Sequence, residues 1–229
     1  MSTMLDETTD RTVFSQAVQD YRYLRDRGYP VDPALQLVGD RYRLTRITRM
    51  VLYRGVSSAD ADSRRMSRRL DSLPPAVKLS IDGYNVLLTI ANYLLGRPVF
   101  ICSDGFLRDV GAGYSRASHK SPAFLRAEQL MVEWALLQIK ESGGSPPQLR
   151  ILLDRQVSHS GVTAARLRSR APDAEVICVG DVDAKLKTES GVIATSDSAV
   201  IDQAASKVID AARHILEAWF SPEFERVMQ

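Results

Sequence analysis

Five aspartates are the residues best suited to chemistry, because each directly follows a short apolar segment. They are Asp82 after LSI, Asp104 after ICS, Asp154 after ILL, Asp181 after CVG and Asp197 after ATS. If the apolar segments are parallel strands, the aspartates line the edge at which open α/β sheets bind ligands. Carboxylate oxygens without neighbouring Cys or His ligands favour Mg²⁺ or Mn²⁺ over Zn²⁺. The pattern predicts a metal site of Asp82, Asp104, Asp154 and Asp197 that activates water for phosphodiester hydrolysis.

The same aspartates have a second interpretation. Asp is a favoured N-cap residue, so each one can serve only to cap the helix that follows its strand. The two hypotheses differ in geometry. A metal site brings at least three carboxylates to one point, whereas caps form a spread row in which each carboxylate binds its own helix N-terminus.

The elements that position these aspartates follow from hydrophobic patterning. Short, β-branched apolar segments predict strands at residues 76–81, 98–102, 149–153, 174–179 and 192–195. Helical spacing predicts helices at residues 85–95, 122–141 and 158–170, a short one after Asp181, and a long one over 198–219. This alternation is typical of an α/β domain with a central parallel sheet, here residues 76–229.

The first 72 residues form a separate unit by pattern. Their apolar spacing predicts four short helices, the third capped by Thr45 and the fourth opened by Ser58. Nine arginines against two acidic residues occupy positions 41–70: Arg41, Arg43, Arg46, Arg49, Arg54, Arg64, Arg65, Arg68 and Arg69. Guanidinium groups suit phosphate, so a small helical basic domain that contacts an RNA backbone is one interpretation. A solvated helical face is the other.

Residues 106–120 add a polar, basic segment after Asp104. Arg108, Arg116 and Lys120 can contact phosphates there, and Tyr114 can stack on a base, unless the segment is a plain connection.

Side chains near the aspartates have supporting roles in the metal-site hypothesis. Asn85, with Thr195 or Ser196, would orient carboxylates or water. Ser158 and Ser160 open the predicted helix over 158–170 and predict an anion pocket, although N-capping by Ser158 alone also explains them.

Two short segments resemble a known family. Residues 81–86, IDGYNV, resemble the first-strand signature of PIN-like and NYN-type ribonuclease domains, and residues 194–197, ATSD, are similar to a late strand of these domains. This resemblance implies a PIN-like three-layer sandwich and a ribonuclease that uses Mg²⁺ or Mn²⁺. PIN domains also carry a metal-binding acid on a middle helix, where Glu128 and Glu133 fit no motif. The whole chain resembles an uncharacterised bacterial and archaeal family that joins a short basic domain of unknown function to a PIN-like domain.

Composition limits the other classes. The chain has 229 residues, 45% hydrophobic and 25% charged, which is typical of a globular protein. It lacks an apolar run of membrane-spanning length and begins with a polar, acidic segment, so we expect a cytoplasmic protein without a membrane partner.

Three hypotheses for function follow. The first is a metal-dependent ribonuclease, and the second is a non-catalytic PIN-like module that binds nucleic acid or protein. The third is a phosphatase or phosphoacceptor that uses a strand-end Asp, although residues 82–84, DGY, lack the D-x-D pattern of haloacid-dehalogenase phosphatases. RNA is the expected partner, and a protein partner or a homo-oligomer is an open alternative.

Overall fold

A computed structural model describes residues 4–5, 9–111 and 117–228 of the chain. The described part contains ten α-helices and eight β-strands. The helices are α1 Arg11–Asp26, α2 Val31–Arg41, α3 Arg46–Gly55, α4 Ala59–Arg68, α5 Gly83–Leu94, α6 Pro122–Glu141, α7 Ser160–Arg170, α8 Val182–Lys187, α9 Ser198–Gln203 and α10 Ala211–Phe220. The strands are β1 Arg69–Leu70, β2 Leu79–Asp82, β3 Val99–Ile101, β4 Leu107–Asp109, β5 Leu149–Asp154, β6 Glu175–Val179, β7 Val192–Ala194 and β8 Lys207–Ile209.

The chain forms two compact units, neither of which is continuous in sequence. The first unit comprises Met1–Ser67, Asn92–Arg116 and Pro222–Gln229. The second comprises Arg68–Ala91 and Ala117–Ser221. The sequence prediction of two successive domains, 1–72 and 76–229, does not anticipate that the N-terminal helices share a unit with an internal segment and the C-terminal tail.

The N-terminal helices of the first unit follow the predicted pattern. Thr45 caps α3, since its hydroxyl oxygen accepts a hydrogen bond from the Thr48 N–H at 3.2 Å. The buried faces of α1, α2 and α3 contribute to one apolar core, which also contains Phe100 of β3 and Val227 of the tail. The predicted N-terminal helical region is therefore confirmed.

Residues 98–102 do form a strand, but not one of the parallel sheet. In the first unit, β3 pairs with β4 in an antiparallel hairpin. The Gly105 N–H donates to the Cys102 carbonyl at 2.9 Å in the connecting turn. Gly105 has a φ of 78°, which glycine adopts without steric cost. The Asp104-Gly105 pair therefore marks a hairpin turn and not the carboxyl end of a parallel strand.

A six-stranded parallel sheet forms the centre of the second unit. Its strand order is β1-β8-β7-β2-β5-β6, and every neighbouring pair is parallel. All four residues of β2 and all three of β7 are buried. Apolar strands buried on both faces are typical of parallel sheets.

The predicted long helix over residues 198–219 is instead two helices with a strand between them. Val208 and Ile209 of β8 are fully buried and pair with β7 and with β1. Asp210 then caps α10 by accepting from the Arg213 N–H at 3.1 Å. A strand of three residues is too short to interrupt a helical periodicity visibly, and the two-residue β1 was missed for the same reason.

Helices cover both faces of this sheet. Leu152 of β5 packs in an apolar cluster with residues of α8 and α9. Its neighbours Ile151 and Leu153 face the other side, because successive side chains of a strand alternate. There the start of α5 packs so closely that a Cβ at Gly83 would lie 2.6 Å from Leu153. The second unit is therefore an α/β domain with helices on both faces.

The order of the strands creates a switch point at β2. From β2 the chain adds β5 and β6 on one side, and then crosses back to add β7 and β8 on the other. The helices that follow β2 and β7 lie on opposite faces, so their first turns diverge. A crevice at the carboxyl ends of the strands is expected there. In the described part of the chain, no helix is long and apolar enough to cross a membrane.

A buried carboxylate links elements at the opposite, amino-terminal edge of the sheet. The Glu189 side chain is 4% exposed and accepts hydrogen bonds from Arg150 at 2.6 Å, Ser80 at 3.1 Å and Lys78 at 3.2 Å. Burial alone would raise the pKa of Glu189, but the hydrogen bonds from Lys78 and Arg150 bring it below its ordinary value. Glu189 thus connects the segment before β7 to β2 and β5.

We predict that Glu189→Ala lowers the free energy of unfolding by roughly 3 kcal/mol, because it removes the shared counter-charge of Arg150 and Lys78. Glu175→Ala is the matched control: it removes another carboxylate from Arg150, but one that is 47% exposed, so we expect a loss of at most about 1 kcal/mol. Urea unfolding followed by circular dichroism measures both. Equal losses for the two variants would contradict the assignment.

Candidate functional site

Asp82 is the last residue of β2, and its carboxylate lies at the switch point. The residue is only 8% exposed. One carboxylate oxygen accepts from the Thr195 hydroxyl at 2.9 Å, and the other accepts weakly from the Asn85 N–H at 3.4 Å. Within the described residues, no lysine or arginine forms an ion pair with Asp82. Within the described residues, the buried Asp82 carboxylate is therefore stabilised by these two hydrogen bonds and by no ion pair.

The electrostatics of this edge follow from that burial. Burial raises the pKa of Asp82 to about 7, against the hydrogen bond from Thr195, and the charges of Asp197 and Asp183 raise it further. The pKa of Asp183 is also raised, first by burial and then by Asp197, although Lys187 opposes the shift. The negative charges of neighbouring acids at this edge therefore raise the pKa of both Asp82 and Asp183. Sequence reasoning did not select Asp183, whose only signal is its place as the second aspartate of the GDVD segment.

Asn85 joins the ends of β2 and β7. Its side-chain oxygen accepts from the backbone N–H of Ser196 at 2.9 Å and from the Ser196 hydroxyl at 3.2 Å. The Thr195 hydroxyl oxygen also accepts from the Asp197 N–H at 3.1 Å. The residues of the two sequence motifs, Asn85, Thr195 and Ser196, therefore lie next to Asp82.

The other strand-end aspartates of the second unit act as caps or turn acceptors. Asp197 accepts from two backbone N–H groups of α9 at 2.7 and 3.2 Å. Asp181 accepts from one N–H of α8 at 2.8 Å, and Asp154 accepts from the Gln156 N–H at 2.7 Å. Among residues 4–5, 9–111 and 117–228, no three His, Cys, Asp or Glu side chains lie close enough together to hold a metal ion as they stand.

Asp104 lies in the first unit and has a structural role. Arg108 donates two hydrogen bonds to its carboxylate, at 2.9 and 2.7 Å, and Arg65 donates a third at 3.1 Å. All three residues are buried. This pairing disfavours the predictions that Asp104 binds metal and that Arg65 and Arg108 contact RNA, because the carboxylate and both guanidinium groups are buried and bonded to one another.

The other predicted nucleic-acid contacts fall into two groups. Three arginines form ion pairs with nearby aspartates: Arg41 with Asp20, Arg49 with Asp40 and Arg64 with Asp60. The other three described residues, Arg43, Arg46 and Lys120, are exposed, as are Arg41 and Arg64 of the first group. Arg116 and Tyr114 lie outside the described residues.

The predicted anion pocket at residues 158–160 is altered by the start of α7. The N-cap residue is His159 and not Ser158, and its side chain makes no capping hydrogen bond. The Ser160 hydroxyl is turned inward and donates to the Arg155 carbonyl at 3.3 Å. This corrects the assignment of Ser160 as an anion donor and of Ser158 as the cap, and leaves Ser158 as an exposed hydroxyl.

Neither glutamate considered on the middle helix is an unpartnered acid. Glu128 is fully buried, and Arg166 donates to both of its oxygens, at 2.8 Å and 2.5 Å. Glu133 is exposed and accepts from Gln129 at 2.7 Å. The structure therefore supplies no reason to add either residue to the aspartates of the sheet edge.

A separate cleft of about 780 Å³ is lined by residues of α6 and α10 in the second unit. Trp134 and Trp219 contribute to it. Arg213, which lines the cleft, forms an ion pair with Glu217 at 2.8 Å, so the charge of this arginine is balanced within the cleft. None of the five aspartates singled out by sequence lines this cleft, which makes the edge at Asp82 the candidate site.

The fold and the site define an α/β protein with a buried acid at its switch point. Residues 76–214 match the domain of unknown function DUF5616, and residues 13–68 match the protein family of unknown function DUF434. An uncharacterized protein of Methanocaldococcus jannaschii is 29% identical over 212 residues, which cover 88% of this chain and 96% of that protein. No solved structure matches the chain significantly. The chain therefore belongs to the DUF5616 family and carries a DUF434 region before that domain.

The buried role of Arg65 generates one prediction. Arg65→Ala should lower the free energy of unfolding by about 2 kcal/mol, because it removes a charged hydrogen bond to buried Asp104. The neighbouring Arg64→Ala should change stability by no more than about 0.5 kcal/mol, since Arg64 is exposed. Differential scanning calorimetry of the two variants tests this, and a neutral Arg65→Ala would show that the buried cluster is dispensable.

The raised pKa of Asp82 generates another. Between about pH 4 and pH 7 the folded state retains a proton that the unfolded state has lost, so this group reduces stability as the pH rises through that interval. Asp82→Asn removes this penalty and should stabilise the protein at pH 8 by up to about 4 kcal/mol. At pH 4 the advantage should vanish. Thermal unfolding in metal-free buffer at both pH values measures the difference, and a pH-independent difference would contradict the raised pKa.

Proposed function

We propose that the chain is a PIN/NYN-like cytoplasmic ribonuclease that hydrolyses RNA phosphodiester bonds with the aid of Mg²⁺ or Mn²⁺. The observation that carries this proposal is the state of Asp82. It is a buried acid at the switch point of a parallel sheet, with no ion-pair partner in the described part of the chain. A bound cation would supply the missing positive charge.

The chemistry of the donors supports a hard divalent ion. Asp82, Asp183 and Asp197 offer carboxylate oxygens, and Thr195 adds a hydroxyl, as Mg²⁺ and Mn²⁺ prefer. Mg²⁺ usually keeps several waters and takes one or two carboxylates together with substrate phosphates. An ion that binds together with RNA thus needs no preformed group of three acids. When bound, such an ion activates water and neutralises charge that develops on the phosphodiester.

The protein's own residues would position that chemistry. Thr195 fixes one oxygen of Asp82 by its hydrogen bond, which reduces the orientations open to the carboxylate. Asn85 ties the β7–α9 connection to the start of α5 and so holds Asp197 in its place beside Asp82. The order of the two motifs, IDGYN at the end of the central strand and TSD directly after its neighbour β7, supports the PIN-like assignment.

A second candidate is a PIN-like module that binds nucleic acid or protein without catalysis. The observation that favours it is the capping geometry. Asp197 and Asp181 are both engaged by the N-termini of the helices that follow them. Under this alternative Asp82 is protonated and needs no cation.

Calorimetry with Mn²⁺ separates the two candidates, because asparagine keeps the shape and hydrogen-bond acceptor of aspartate but removes its charge. We expect stoichiometric Mn²⁺ binding by the wild type in the presence of single-stranded RNA, and its loss in Asp82→Asn and Asp197→Asn. Asp10→Asn is the matched control, since Asp10 caps α1 in the first unit. RNA cleavage should fall in the first two variants by more than the roughly 10–100-fold that the loss of an outer-shell partner costs.

The opposite results are equally informative. Absence of saturable Mn²⁺ binding by the wild type, with RNA present and at millimolar metal, would overturn the nuclease proposal. Retention of RNA binding under those conditions would favour the non-catalytic module. Equal metal binding by the wild type and Asp82→Asn would place the ion elsewhere.

A further inference from the structure

Two histidines of the second unit stack on each other. The rings of His119 and His159 have centroids 4.0 Å apart and planes inclined by 22°. His119 lies just before α6, and His159 lies in the connection that leads from Asp154 of β5 into α7. His159 has a φ of 64°, a left-handed conformation that is uncommon outside glycine and costs free energy. The stack therefore lies in the connection that follows the strand next to β2.

The surroundings of this pair are positively charged. Lys120 is exposed and adjacent to His119, and it forms no ion pair within the described residues. Arg166 donates to the His119 carbonyl at 3.1 Å, but its charge is offset by Glu128. Burial lowers the pKa of His119, and His159, Lys120 and Arg166 lower it further, against Glu128. A second positive charge on the stack is thus disfavoured unless an anion is present.

We propose that His119, His159 and Lys120 bind a phosphate group of the nucleotide substrate. Stacked imidazoles offer N–H donors side by side, and an ammonium group next to them adds charge, which together suit the oxygens of a phosphate. The identity of the ligand as RNA rests on the proposed function. Phosphate binding itself needs neither the metal nor hydrolysis.

The three histidines of the chain make a direct test by nuclear magnetic resonance. Their ring Cε1–Hε1 signals are followed while inorganic phosphate is added to the full-length protein at constant ionic strength. We expect saturable shifts of the His119 and His159 signals. His214, which lies edge-on to Trp134 at 6.3 Å, is the internal control and should not move. Equal, unsaturated shifts of all three signals, or no shifts, would overturn the proposal.

Two substitutions identify the residues. Lys120→Gln and His159→Asn should each raise the Kd for phosphate about tenfold, the effect of one lost hydrogen bond to a charged group. Asparagine is chosen at position 159 because it tolerates the left-handed backbone conformation. Unchanged affinity in both variants, with the remaining ring signals intact, would contradict the assignment.

Oligonucleotides distinguish the source of the phosphate. In the presence of a chelator, single-stranded RNA with a 5′-phosphate is compared with the same RNA bearing a 5′-hydroxyl. Larger shifts with the first assign the site to a terminal phosphate, and equal shifts assign it to the backbone. Shifts with inorganic phosphate but with neither RNA would overturn the assignment to a nucleotide substrate. Asp82→Asn should bind phosphate like the wild type, so failure of the nuclease proposal is distinguishable from failure of this one.

Discussion

Burial of one carboxylate at the end of the central strand is the constraint on which the architecture of the sheet edge depends. Strand β2 lies between β5 and β7, so Asp82 has little access to water and its charged form is costly without hydrogen bonds. Its partner is set by strand register. Ile81 of β2 is opposite Ala194 of β7. The residues that follow them, Asp82 and Thr195, are therefore also neighbours. Sheet pairing therefore supplies the shorter of the carboxylate's two hydrogen bonds, and the local N–H of Asn85 supplies the longer one.

The buried acids of this protein illustrate two solutions to the same desolvation problem. Asp104, Glu128 and Glu189 each receive hydrogen bonds from arginine, and the resulting pairs fasten elements together inside their own unit. Asp82 receives only a hydroxyl and a backbone N–H within the described residues. A permanently bonded guanidinium leaves no room for a ligand ion, whereas a hydroxyl adds no charge. The difference between these two environments distinguishes the structural acids from Asp82, the candidate site residue.

The sequence was informative wherever local pattern decides the outcome. Residues 122–141 were predicted as a helix with its observed bounds, and Asp82 was placed correctly at a strand end. The sequence predictions were wrong where residues distant in sequence determine the local structure. Asp104 resembles the other strand-end aspartates locally, yet Arg65, 39 residues earlier, makes it part of a core. The three-residue β8 exists because β7 offers a buried edge, a condition that periodicity over 198–219 cannot report.

The placement of charge on the second unit has a consequence for an anionic substrate. Asp82 ends β2 and Asp197 follows β7, whereas His159 follows β5 on the other side of β2. Acids alone would repel a phosphodiester, so attraction requires either a cation at the acids or positive groups beside them. Under the two proposals, the histidine pair with Lys120 would attract the substrate without metal, and an ion at Asp82 would assist its hydrolysis. Substrate capture and chemistry would then lie at the ends of neighbouring strands of the same sheet.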